Sequence, residues 1–145
     1  METITSRENA KIKYACAVRD SEKQRAADGL FFAEGPKLCL ELAKSCTPRT
    51  VYATAAALAK TPGLATLAPA EIAPHVAEKL SGTKSNQGVF ALFETPVPPA
   101  DTLDTARRIL MLEGVQDPGN VGTLLRSAAA FGFDAVVLGP GCASP

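Results

Sequence analysis

Apolar and polar positions along this chain switch repeatedly between helical and strand periods. Near the N-terminus Ile12, Ala15 and Cys16 share one side of a helical wheel, while Arg7, Lys11 and Lys13 occupy the rest. The spacing Thr5-x-x-Glu8 has the form of a capping box and predicts where that helix begins. Gly29 closes a second short helical segment, and "LFFAEG" then reads as a buried strand. Pro36 suits the first turn of a helix predicted over Pro36–Ser45, with Leu38, Cys39, Leu42 and Cys46 building its apolar face. "TVYAT" and "LATLA" predict short strands, followed by helical stretches at Ala55–Lys60 and Glu71–Leu80, and "GVFALFE" at 88–94 predicts a fourth strand. Four strands with interleaved helices imply an α/β domain with helices on both faces of its sheet.

The pattern breaks at "ETPVPPADT", where Pro96, Pro98 and Pro99 can extend neither a central strand nor a helix. Residues 1–94 are therefore expected to form one domain, 95–104 a semi-rigid linker and 105–145 the start of a second domain. In the latter, "RRILMLEGV" and "DAVVLGP" read as strands on either side of a helix, one βαβ unit. One such unit cannot bury both faces of its sheet, so the second domain is expected to be incomplete in this chain.

The helix of that unit, expected over Val121–Phe131, has an unusual outer face. Asn120 is a good N-cap, Pro118 and Gly119 suit a turn, and Gly132 suits a left-handed helix end. Val121, Leu124, Leu125 and Ala128 fall on one face and should meet the sheet. The other face holds Gly122, Thr123, Ser127 and Ala130 around a single charge, Arg126. Such small residues suit close packing against another chain or a ligand. Helical side chains lean toward the N-terminus, so the Arg126 guanidinium is expected over Gly122, near the carboxyl end of the preceding strand. Ligands bind at that edge of α/β sheets, and an arginine beside a helix start suits an anion such as phosphate. Neither a dinucleotide fingerprint nor a P-loop is present.

Composition narrows the class without naming a function. With 46% hydrophobic and 21% charged residues, the chain is globular rather than disordered. Its formal charge is zero, yet between residues 7 and 25 Arg7, Lys11, Lys13, Arg19, Lys23 and Arg25 outnumber Glu8, Asp20 and Glu22, a mild hint of a polyanionic partner. Cys16, Cys39, Cys46 and Cys142 show no C-x-x-C pairing and sit in apolar patterns, so neither a disulfide framework nor a metal site is expected. No apolar run is long enough for a membrane span and the N-terminus has no apolar leader core, which points to a cytoplasmic protein.

The stretch "LEGVQDPGNVGTLLRSAAAFGFDAVVL" resembles the first signature of the SpoU (TrmH-type) RNA ribose methyltransferases of the SPOUT superfamily, whose Asn, Gly and Arg are matched by Asn120, Gly122 and Arg126. Arg25, "FFAEG" at 31–35 and "SGTKSNQGVFAL" at 81–92 resemble the substrate-binding domain that precedes it in many members. The resemblance implies an N-terminal α/β/α sandwich similar to RNA-binding ribosomal proteins, followed by the opening of a trefoil-knot domain. It also implies transfer of a methyl group from S-adenosylmethionine to a ribose 2′-hydroxyl of ribosomal or transfer RNA, by a homodimer. The second and third signatures, which build the knot and the cofactor pocket, are not in this chain, so the 145 residues are expected to bind no cofactor and to be inactive alone.

The chemistry assigns Arg126 and Asn120 as the catalytic candidates. A ribose hydroxyl must lose its proton as it attacks the methyl group, so the site must position it and stabilise developing negative charge. Arginine is a reluctant base, and Arg126 is better suited to clamping the target phosphate and stabilising the oxyanion, with Asn120 capping and ordering the loop. The candidate RNA contacts are Arg7, Lys11, Lys13 and Arg25 together with Thr83, Lys84 and Gln87 of a polar loop. Two other readings stay open at this point: a stand-alone RNA-binding module, and an unrelated phosphate-binding α/β enzyme.

Overall fold

The computed structural model describes residues 3–83 and 85–144. The chain divides into two compact units, Met1–Pro96 and Val97–Pro145.

The first unit is built on a mixed four-stranded sheet of order β1-β4-β2-β3. Strand β1 (Leu30–Glu34) runs antiparallel to β4 (Val89–Glu94), which is antiparallel to β2 (Pro48–Ala53). The edge strand β3 (Ala70–Glu71) is parallel to β2 and only two residues long. Val89 to Phe93 are all buried, because β4 is covered on both faces and its alternate side chains serve two cores. Phe90 and Leu92 pack with Ile12, Ala15 and Val18 of α1 (Ala10–Asp20) and with Val76, Ala77 and Leu80 of α5 (Pro74–Ser81). Val89, Ala91 and Phe93 meet Cys39 of α3 (Pro36–Leu42), Ala57 of α4 (Ala55–Lys60) and Leu64. Full burial of Phe90 and Phe93 stabilises the unit by about 1.5–3 kcal/mol each.

Several local expectations change. The helix α1 starts after Asn9, whose side chain accepts from Lys11 N at 2.9 Å, and not at a Thr5–Glu8 box. Glu8 is drawn away instead to Lys13 (2.6 Å) and Lys79 (3.1 Å). Helix α2 (Glu22–Asp28) ends at Gly29 as expected, with φ 61°. Leu38 is 49% exposed and drops out of the expected apolar face, which Cys39, Leu42 and Cys46 still form against the core, and the helix stops at Leu42. "LATLA" is no strand: Pro62 opens a 3-10 helix, Pro62–Leu67, ended by Ala68 at φ 47°. The helix expected from Glu71 begins only at Pro74, because proline at the first helical position holds Ala73 in the extended region.

The second unit contains two parallel strands, β5 (Ile109–Leu112) and β6 (Ala135–Leu138), joined through α7 (Pro118–Ala130). Val121 and Ala128 of α7 are buried, with Leu124 and Leu125 half-buried. Leu112 is buried too, whereas its neighbour in alternation, Met111, is 72% exposed. Residues 95–100 carry no regular structure, but the end of the expected linker does: Thr102–Thr105 forms the short helix α6.

Candidate functional site

Helix α7 begins earlier than the expected Val121. Asp117 is its N-cap: the carboxylate accepts from Asn120 N at 2.7 Å, Pro118 takes the first helical position, and Val121 N donates to Asp117 O. Asn120 is thus a residue of the first turn and not the cap, which corrects the role expected for its side chain. The signal was present in the order Asp-Pro-Gly, since proline favours the position directly after a cap. The Asn120 carboxamide is exposed and has no hydrogen-bond partner among the described residues.

One turn further on, the exposed Arg126 side chain lies back along the helix. A Cβ placed on Gly122 would stand 3.5 Å from Arg126 Nη1. Arg126 Nη2 donates to Thr123 Oγ1 at 3.1 Å, and that hydroxyl donates in turn to Gly119 O at 2.8 Å. Spending its one proton on Gly119 O leaves the Thr123 oxygen with lone pairs for the guanidinium. Thr123 therefore orients Arg126, a part in the site that the sequence did not reveal. Most of the arginine's five donors remain open to solvent.

The frame beneath this helix is tied by backbone bonds. Arg107 N and Arg108 N both donate to Asp134 Oδ2 at 2.9 Å, joining the start of β5 to the start of β6. These two bonds, that from Arg108 first, hold the Asp134 carboxyl below the usual aspartate range. At the other strand ends, Gly114 N donates to Pro140 O (3.1 Å) and Ala143 N to Val115 O (2.8 Å). These bonds tie the two loops directly to each other.

In the first unit the expected RNA contacts fall into separate places. Arg7 is bound to Glu78 (2.9 Å) and to His75 O (2.8 Å), and Lys13 to Glu8. The Glu8 carboxyl is held below the usual glutamate range, first by its hydrogen bond to Lys13 and then by that to Lys79. Arg7, Glu8, Glu78, Lys79, Gly82 and Thr83 line one cavity of ≈ 450 Å³. Lys11 is exposed and has no ion-pair partner among the described residues. Arg25 is engaged in structure: Nη1 donates to Val18 O (3.2 Å) and Arg19 O (3.0 Å), closing the end of α1. Gln87 belongs to a second, larger groove of ≈ 880 Å³. Lys84 lies outside the described residues.

Residues 107–145 match the SpoU rRNA Methylase family, and residues 9–91 match the MRM3-like substrate binding domain. A 23S rRNA guanosine 2′-O-methyltransferase of Bacillus subtilis is 58% identical over 45 residues, 31% of this chain and 18% of that protein. The mitochondrial rRNA methyltransferase 3A of Danio rerio is 29% identical over 136 residues, 87% of this chain and 31% of that protein. Among solved structures, the AdoMet-bound rRNA methyltransferase of Sinorhizobium meliloti superposes with a TM-score of 0.80 at 25% identity, covering 99% of this chain and 56% of that one. The chain thus spans little more than half of that solved relative and less than a third of the two curated ones. With matches running through both units, the chain belongs to the SpoU family of SPOUT RNA methyltransferases.

Proposed function

We propose that this chain serves an S-adenosylmethionine-dependent RNA methyltransferase that modifies a ribose 2′-hydroxyl of ribosomal or transfer RNA, acting in the cytoplasm as a homodimer. Residues 1–94 present the RNA, residues 95–104 link, and residues 105–145 begin the methyltransferase domain. The observation that carries the catalytic part is the guanidinium of Arg126, laid over Gly122 toward the start of α7 and oriented by Thr123. There it clamps the phosphate next to the target ribose and stabilises the charge that develops on the 2′-oxygen as its proton leaves. Asn120, with its carboxamide free at the first turn, supplies a second polar contact to the nucleotide. S-adenosylmethionine supplies the methyl group, and no residue of this chain is assigned to holding it.

RNA is held by phosphate contacts from Arg7, Lys11 and Lys13 and by the loop residues Thr83, Lys84 and Gln87; Lys11 has no ion-pair partner among the described residues, and Arg25 supports this surface by closing the end of α1. The relatives' rRNA substrates support the reading. The test is Arg126→Ala in the full-length protein. At saturating RNA, methyl transfer should fall about 100- to 1,000-fold, the loss expected for one charge-stabilising donor, while cofactor affinity stays within about twofold and RNA affinity loses no more than one phosphate contact. Near-normal turnover would remove Arg126 from the site.

A further inference from the structure

The larger groove of the first unit has features that a phosphate-binding surface lacks. It lies where the loop before β4 meets the starts of α3, α4 and α5, and its volume of ≈ 880 Å³ is that of a small-molecule site. Its walls are fixed. Thr54 N donates to Gly88 O (2.9 Å), Gly35 N to Val89 O (2.9 Å), and Gly88 N to Asn86 Oδ1 (3.0 Å). Gly88 has φ 69°, and a Cβ there would fall inside contact distance of Thr54 Oγ1, so the loop is seated against the helix start as closely as a glycine permits.

The lining separates an apolar surface from a polar rim. The exposed Ala55, Ala56 and Pro74 contribute aliphatic surface, while Lys60, Glu71, Glu78 and Gln87 supply the polar groups. Glu71 accepts from Thr3 Oγ1 (2.8 Å) through one oxygen, and Glu78 pairs with Arg7 Nη2 (2.9 Å) through one. In each carboxylate the other oxygen has no hydrogen-bond partner among the described residues. The Gln87 side chain stands over Gly35, its Oε1 3.3 Å from where a Cβ would be, with no hydrogen-bond partner among the described residues. With Glu78 already paired with Arg7 and Glu71 balancing Lys60, the lining has no excess positive charge to draw in a phosphate. The same groups suit a flat, neutral ring that offers amino hydrogens at its edge.

From this complementarity we infer that the groove takes one unstacked RNA base bearing an exocyclic amino group, with its ribose and phosphate left outside near Lys60. The inference rests on the proposal that this unit binds RNA, and it adds what part of the RNA enters and where. Single-stranded loops expose such bases, and carboxylates and amides are the side chains that read amino edges.

The test uses an RNA hairpin selected for binding from a randomised-loop library, with abasic nucleotides placed one at a time through its loop. At one loop position the abasic change should weaken binding to the unaltered protein roughly tenfold, and uridine there should behave like the abasic site. The exposed Ala56 is then replaced to fill the groove: in Ala56→Trp that positional penalty should vanish, while the dependence of affinity on salt stays as before. Gln87→Ala, on an exposed loop, should reduce the same penalty without touching the fold. Free adenosine and cytidine at millimolar concentration should not displace the hairpin; displacement would make the groove a nucleoside site and overturn the inference. A positional penalty undiminished in Ala56→Trp would place the base elsewhere and overturn it too, with RNA binding intact. Failure to select any hairpin whose binding weakens with salt would instead overturn the RNA reading itself.

Discussion

Arg126 Nη1 sits 3.5 Å from the position a Cβ would take on Gly122, an ordinary van der Waals separation. The glycine therefore leaves room for exactly one small group before the guanidinium has to move. Gly122→Ala should leave Arg126 in place and, because alanine is the better helix former, stabilise α7 by about 0.5–1 kcal/mol. Gly122→Leu should push the guanidinium off the helix start and lower turnover of the full-length enzyme at least tenfold, with little change in thermal stability. Equal turnover for the leucine variant would show that the position of Arg126 over Gly122 has no part in the reaction.

The start of α7 separates a cap from a site residue. Asp117→Ala removes the acceptor for Asn120 N and should cost about 1 kcal/mol of stability in the second unit, read by chemical denaturation. Asn120→Ala leaves that bond in place, since the donor is the backbone, and should be close to neutral for stability while lowering activity of the full-length protein. The reverse pattern, a large stability loss at Asn120 and none at Asp117, would restore Asn120 as the cap.

How far the sequence exposed this architecture depends on which interactions decide each element. The strand at 88–94 was legible because its apolar run is continuous, and continuity reflects burial on both faces. Arg126 over Gly122 was legible because the lean of helical side chains is a local geometric rule. "LATLA" has the same alternation as a strand, but Pro62 commits the chain to a tight helix and no local signal ranks the two. Arg25 and Glu8 were unreadable for a different reason. The partners that fix them, the carbonyls of Val18 and Arg19 and the ammonium of Lys79, are chosen by tertiary contacts that a charge count does not contain.

That distinction separates the basic residues experimentally. Arg25→Ala deletes two hydrogen bonds to carbonyl oxygens at the end of α1 and should cost about 1.5–3 kcal/mol of stability in the first unit. Lys11→Ala should leave stability within about 0.5 kcal/mol and reduce the slope of log affinity against log salt by about one counterion for RNA. Lys13→Ala should do less to that slope, because its charge is already shared with Glu8. If Arg25→Ala unfolded at the same denaturant concentration as the unaltered chain and lost only RNA affinity, Arg25 would be a contact residue rather than a helix clasp.

Asp134 gives the second unit a defined response to acid. Its carboxylate accepts the backbone N–H groups of Arg107 and Arg108, and these bonds lower its folded-state pKa beneath the ordinary 3.8. A carboxyl whose pKa is depressed by folding contributes stability that is complete above its unfolded value, about 3.9, and is lost as pH falls through the folded value. The clasp between β5 and β6 should therefore hold from neutral pH down to about pH 4 and weaken only below it. The amide proton shifts of Arg107 and Arg108, followed from pH 6 to 2, should titrate together with one midpoint below 3.8. Glu8, Asp20, Asp28 and Glu41 are depressed as well, but they lie in the first unit, so these two amides isolate Asp134. Asp134→Asn should abolish the titration and destabilise the unit at pH 7, with the difference from the unaltered chain shrinking as the pH is lowered. A midpoint at or above 3.9, or a stability difference that does not depend on pH, would mean that the carboxylate does not hold the strands together.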